Sequence, residues 1–87
     1  MLEDSKGATN MNKHKTLGML LTDLKMQQEL MEEAKTMEDL NTRYHYALKV
    51  LDIMHSLELI TIDEWSKINT IIIRSMSISS LKLGSAQ

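Results

Sequence analysis

The side chains of this sequence that could carry chemistry are few and poorly spaced for catalysis. There are three histidines, His14, His45 and His55, and no cysteine. Asp52 and His55 stand three residues apart, which puts them within reach of each other on one helical face. As a metal site this supplies two ligands where zinc takes three or four; an ion pair is the simpler reading. A Ser/His/Asp triad needs convergence from separate elements, and no nucleophile-elbow glycine pattern is present. The glycines number three and form no phosphate-cradling loop. The acidic run "MEEAKTMED", with Glu32, Glu33, Glu38 and Asp39, reads as a solvated helix face. The expectation is a protein that is not an enzyme and takes no metal and no cofactor.

Nucleic-acid chemistry is the next class to weigh. Two helices joined by a short turn can form a helix-turn-helix, whose second helix offers Arg, Lys, Asn or Gln to base edges. Here that helix, "IDEWSKINTIIIRS", opens with two acids and offers Lys67, Asn69 and Arg74. With 25% charged residues and a formal net charge of −2, the 87-residue chain has no field that draws in nucleic acid or an anionic membrane. Direct nucleic-acid binding is disfavoured, although a small DNA-binding regulator stays as the second alternative function. No apolar segment nears the roughly 18 residues that span a bilayer. Glu3 and Asp4 interrupt any signal-like start. Absent cysteine fits a reducing, cytoplasmic setting.

The elements that position these residues are helical. Proline and phenylalanine are absent and methionine occurs eight times, which points to an all-α protein with a Met- and Leu-based core. Three helices are expected over about 16–37, 42–59 and 62–75, with disordered tails at 1–13 and 82–87. An N-terminal amphipathic helix falls within 14–40 and a helical hairpin within 41–81. The region 37–41 reads either as a break or as a bend in one helix, and 69–80 has β-branched and serine content that a strand also accepts. The junction before the third helix is better specified. Thr61 and Glu64 have capping-box spacing, and Ile60 and Trp65 are placed for a hydrophobic staple. Asp63 and Glu64 suit the positive end of the helix dipole.

Helical periodicity exposes a surplus of apolar faces. Leu17, Leu20, Leu21, Leu24 and Met31 share one stripe of the first helix, and Met19, Met26, Leu30 and Met37 a second. The second helix likewise carries Tyr44, Ala47, Leu48, Leu51 and Met54 on one side, and Tyr46, Val50, Ile53 and Leu57 on another. A helix on the outside of a small monomer needs one such face. The surplus points to an oligomer or a partner-bound protein. Leu17, Leu20, Leu24 and Met31 are the candidates for self-association, as a short coiled coil that Gln27 weakens. Tyr44, Tyr46, Val50, Ile53, Leu57, Trp65, Ile68 and Ile72 are the candidates for partner binding, some of them core. Trp65 is either an exposed anchor or a buried staple, and the staple is the stronger reading.

The segment "YALKVLDIMHSLELITIDEWSKI" resembles the short C-terminal domain family known as SHOCT, with its junction G-L-I-T-x-E-E-[FYW]. Leu59, Ile60, Thr61, Glu64 and Trp65 occupy matching positions, and Asp63 keeps the acid before Glu64. Glu58 stands where the family generally has glycine, a residue suited to a left-handed helix cap. Farther on, Arg74, Met76, Ser77 and Leu81 are compatible with the tails of small standalone members, with Ser79 in place of proline. The resemblance covers about 43–81. It implies an oligomerisation or protein-interaction module without catalytic residues. It further implies a mobile-element accessory of Gram-positive bacteria, binding and modulating a larger DNA-acting protein such as a serine recombinase. The alternative is a self-associating structural bundle.

Overall fold

The computed structural model describes residues 2–85, and the side chains of residues 12–84. The described residues form three helices: α1 Leu2–Glu33, α2 Met37–Ser56 and α3 Ile62–Ser85. No strand occurs among the described residues, and 69–80 is helical throughout.

The ends differ from expectation in ways the local chemistry explains. α1 starts at Leu2, so the segment 1–13 expected to be disordered is helical over its described residues. Nothing in it stops a helix once one has nucleated: proline is absent, and Gly7 costs only about 1 kcal/mol. α1 ends at Glu33 instead of about 37 because Thr36 begins the next helix. Thr36 is extended, at φ −133° and ψ 155°, and its hydroxyl accepts from the Asp39 N–H at 3.0 Å. "TMED" is thus an N-cap with an acid at the third helical position, and the break falls at 34–36 and not at 37–41. α2 closes at Ser56, three residues earlier than expected. α3 runs to Ser85, ten residues beyond expectation, and takes in the described part of the tail expected at 82–87. Met1, Ala86 and Gln87 lie outside the described residues.

The helices run up, down and up. Asn12, Lys13 and Thr16 of α1 flank Leu57 and Leu59 at the far end of α2. Trp65 reaches back to Asp52, and Ser80 lies beside Met37 at 3.8 Å, so α3 is antiparallel to α2. Gln28 donates to Ser75 at 2.8 Å, placing α1 and α3 in parallel. This arrangement leaves the first part of α1 extending beyond the α2–α3 junction. The Cα radius of gyration, 16.0 Å, accordingly exceeds the roughly 12 Å of a compact chain this long.

α2 is the central element. Leu40, Ala47, Val50, Leu51 and Met54 are its buried residues. Leu24 and Met31 of α1, Ile60 of the junction and Ile72 of α3 complete the core. α3 also buries Ser75 and Ser79, whose small side chains let its backbone approach. Gln27 is buried too: its amide reaches Asp23 at 3.5 Å, while its carbonyl oxygen and the Ser79 hydroxyl have no protein partner.

Candidate functional site

Two features are candidates for function: the α2–α3 junction and the apolar surface left over once the core is made.

The junction is built from backbone needs. Leu59 N–H donates to Met54 C=O at 2.9 Å and Glu58 N–H to His55 C=O at 3.0 Å. This is a Schellman termination of α2, with Glu58 as the left-handed residue at φ 58°. An L-residue with a Cβ thus holds the conformation that glycine takes at lower cost. α3 then starts with a reciprocal capping box: Thr61 N–H donates to Glu64 Oε1 at 2.9 Å, and Glu64 N–H to Thr61 Oγ1 at 3.1 Å. The bonds from Thr61 stabilise the carboxylate and hold Glu64 below the ordinary glutamate pKa of 4.5. Ile60 is buried and Trp65 half-buried, both against the core, as a staple requires. Trp65 Nε1 donates to Asp52 Oδ1 at 3.3 Å, and its ring centroid lies 6.5 Å from that of His55. Asp52 and His55, noted above for their spacing, thereby both border Trp65. Among the described residues no group of three or more His, Asp or Glu is placed to hold a metal ion.

The expected interaction residues separate into core and surface. Leu24 and Met31 are buried within the chain, with Leu17 and Leu20 packed against the same core. The stripe expected to mediate self-association is therefore already covered by α2 and α3. Val50 and Ile72 are buried as well, and Tyr44, Trp65 and Ile68 are partly buried against the core. Within the chain these five therefore pack on or against the core, because α2 sits between two helices and needs a broad apolar arc. Tyr46, Ile53 and Leu57 remain exposed.

Helical phase shows where these three meet the second stripe of α1. α3 packs on the Gln28 side of α1 and on the Asp52 and Met37 side of α2. The opposite flanks, beside the α1–α2 groove, follow the three- and four-residue steps from Thr16 through Met19, Asp23, Met26 and Leu30, and from Tyr46 to Ile53 and Leu57, with buried Val50 at their inner edge. Met19, Met26, Tyr46, Ile53 and Leu57 thus share one face of the molecule, each 44% to 69% exposed. On the other flanks, by helical phase, Leu21, Ile71 and Ile78 border α1–α3 and Met37, Ile62 and Ile73 border α2–α3, while Leu81 stands on the outer side of α3 at 71% exposed. Met19 and Met26, which the sequence marks only as part of a second stripe, belong to this exposed face. Lys67, a candidate phosphate contact, pairs with Asp63 at 3.2 Å.

No protein-family model matches the chain, and no curated protein or solved structure matches it.

Proposed function

We propose that this chain is a non-catalytic helical interaction module that works through the outer face of α1 and α2. One observation carries the reading. After three helices have built a core, Met19, Met26, Tyr46, Ile53 and Leu57 still stand exposed together on one face. Contiguous apolar surface of this kind marks contact with another macromolecule, and methionine adapts to irregular partners. The SHOCT-like junction supports the same reading and suggests the partner class: a larger DNA-acting protein such as a serine recombinase, which the chain would modulate as an accessory. In that reading the junction is architecture, holding α3 against α2 so that α1 and α2 present their flanks. Direct DNA reading has less support, since α3 opens with Asp63 and Glu64 and Lys67 is paired.

The test is co-expression with a serine recombinase of the class the resemblance implies, followed by sizing with light scattering. A stable complex that is lost on Ile53→Asp, with helicity retained, is the expected result. No complex with the recombinase, or one indifferent to Ile53→Asp, removes the proposed partner or the proposed face respectively.

A further inference from the structure

We infer that the α2–α3 junction is a hinge: Leu57–Thr61 straightens into helix, and two copies of this chain then exchange α3. The inference does not depend on the outer face of α1 and α2.

The closed turn is under strain. Glu58, at φ 58°, is the one non-glycine residue with a positive φ among the described residues, and it sits in the short linker between Ser56 and Ile62. A short strained linker favours exchange of the element it tethers. Straightening returns Glu58 to the right-handed region and relieves that strain. Leu57–Thr61 holds neither proline nor glycine, so nothing in it breaks a helix. The Ala34–Thr36 link has no positive φ to relieve, which assigns the hinge to the second junction.

The core faces of α2 and α3 are in phase for one continuous helix. Leu40, Ala47, Leu51 and Met54 of α2 are followed by Glu58, Thr61, Trp65, Ile72, Met76, Ser79 and Leu83 in steps of three, four or seven residues. Such steps keep residues on one side of a helix. The edges of this stripe match too. Leu57 and Ser75, which lie beside α1, fall on one edge. Met37 and Ser80, which join α2 to α3, fall on the other. A straightened helix over Met37–Ser85, about 70 Å long, thus lays its α3 half in the seat that α3 leaves on a second copy.

The contacts of the monomer are then remade between copies. Trp65 donates to Asp52 and Ser80 lies beside Met37 across the pair, each twice about a two-fold axis at the hinge. The step from Trp65 to Ser80 equals that from Asp52 to Met37, so the two contacts share one antiparallel register. Continued to the hinge, that register brings the two Glu58 side chains together, and like charges there oppose exchange. Opening also gives up the Thr61–Glu64 bonds. The closed monomer is therefore the form at low concentration, and exchange grows with concentration. The leading residues of α1, which extend past the junction, meet their counterparts at the axis and pass outside. Among the described side chains the core begins at Leu17, so this displaces no core contact.

The experiment is refolding of the full chain over a concentration series, followed by sizing with light scattering. Circular dichroism confirms that each variant is folded. The wild type is expected to give a monomer and, at high concentration, a slowly dissociating dimer. Glu58→Gly relaxes the closed turn and weakens the open helix, and should raise the dissociation constant of the dimer about tenfold or more. Glu58→Leu keeps the strain and removes the like charges, and should lower it by about tenfold. With no native cysteine, Met37→Cys together with Ser80→Cys reads the exchange directly. In a straightened chain these positions stand about 65 Å apart, and each neighbours the other copy. A short bis-maleimide should join them within one chain in the monomer and between chains in the dimer, as seen on a denaturing gel. Ile53→Asp, on the outer face, should leave the exchanged dimer intact. Cross-links that stay within chains in the dimer, or a dimer lost on Ile53→Asp, would mean a surface contact and overturn the exchange. A dimer that Glu58→Gly leaves equally strong overturns it as well, as does a monomer at every concentration in both the wild type and Glu58→Leu.

Discussion

Glu58 holds a left-handed backbone at φ 58° in the turn that ends α2, a conformation that costs most L-residues about 1 kcal/mol or more. Glu58→Gly is therefore expected to stabilise the fold by roughly 0.5–1 kcal/mol, read as a raised midpoint in chemical denaturation. Destabilisation would mean that the glutamate side chain has a role its exposed position does not reveal. Glu64 supplies a pH dependence from the same junction. Its folded pKa lies below the ordinary value, first because of the Thr61 backbone bond. Its contribution is therefore fully present above about pH 4.5 and is lost as pH falls through the lowered folded value. Glu64→Gln keeps a capping partner without the charge. An acid titration of helicity should lose its component below pH 4.5 in that variant; an unchanged titration would deny the carboxylate this role. Thr61→Ala, which removes the hydroxyl acceptor of the Glu64 N–H, should cost about 1 kcal/mol.

At the scale of the element, the helices owe their ends to short-range chemistry and their faces to their neighbours. α2 starts where Thr36 can accept from Asp39 N–H. The signal was present in "TMED", but a continuous helix through Met37 satisfied the local pattern equally well. α3 continues past residue 75 because its serines fit the buried side of the helix. Ser75 receives the Gln28 amide, while the Ser79 hydroxyl is buried without a protein partner. Removing an unsatisfied buried hydroxyl relieves its desolvation, so Ser79→Ala should be neutral or stabilising by about 1 kcal/mol, whereas Ser75→Ala should destabilise. Thermal or denaturant melts of the two variants distinguish them, and equal losses would contradict the bonding described here.

For the whole molecule, the burial of α2 between two helices controls stability, and the outer flanks are the surface proposed for association. Leu51 is fully buried on the core side of α2. Leu51→Ala is expected to cost about 2–5 kcal/mol, a large part of what a small domain has. A melt showing a loss well under 2 kcal/mol would mean that the core is less tightly packed than its burial indicates. Substitutions at Met19, Met26 or Tyr46 should leave the same melt nearly unchanged at low concentration. Core and contact surface are separable because they lie on different arcs of the same helices.

The helical class, the Thr61–Glu64 box, the Ile60–Trp65 staple and the surplus of apolar stripes were all legible in the sequence. They depend on residues within about four positions of one another, and that spacing is set by the backbone of one helix. The resemblance marked Glu58 as standing at a glycine position, where either the helix ends differently or Glu58 is strained; the structure has it left-handed, at φ 58°. What the tertiary structure decided was which stripe each helix buries. Leu17, Leu24 and Met31 look as suited to a second copy as Met19 and Met26, because both stripes are apolar and equally periodic. Only the placement of α3, held on the Gln28 side of α1 and the Asp52 side of α2, covers one stripe and leaves the other beside Tyr46, Ile53 and Leu57. Periodicity tells a helix which of its residues share a face; it takes the neighbouring helices to determine which face meets water.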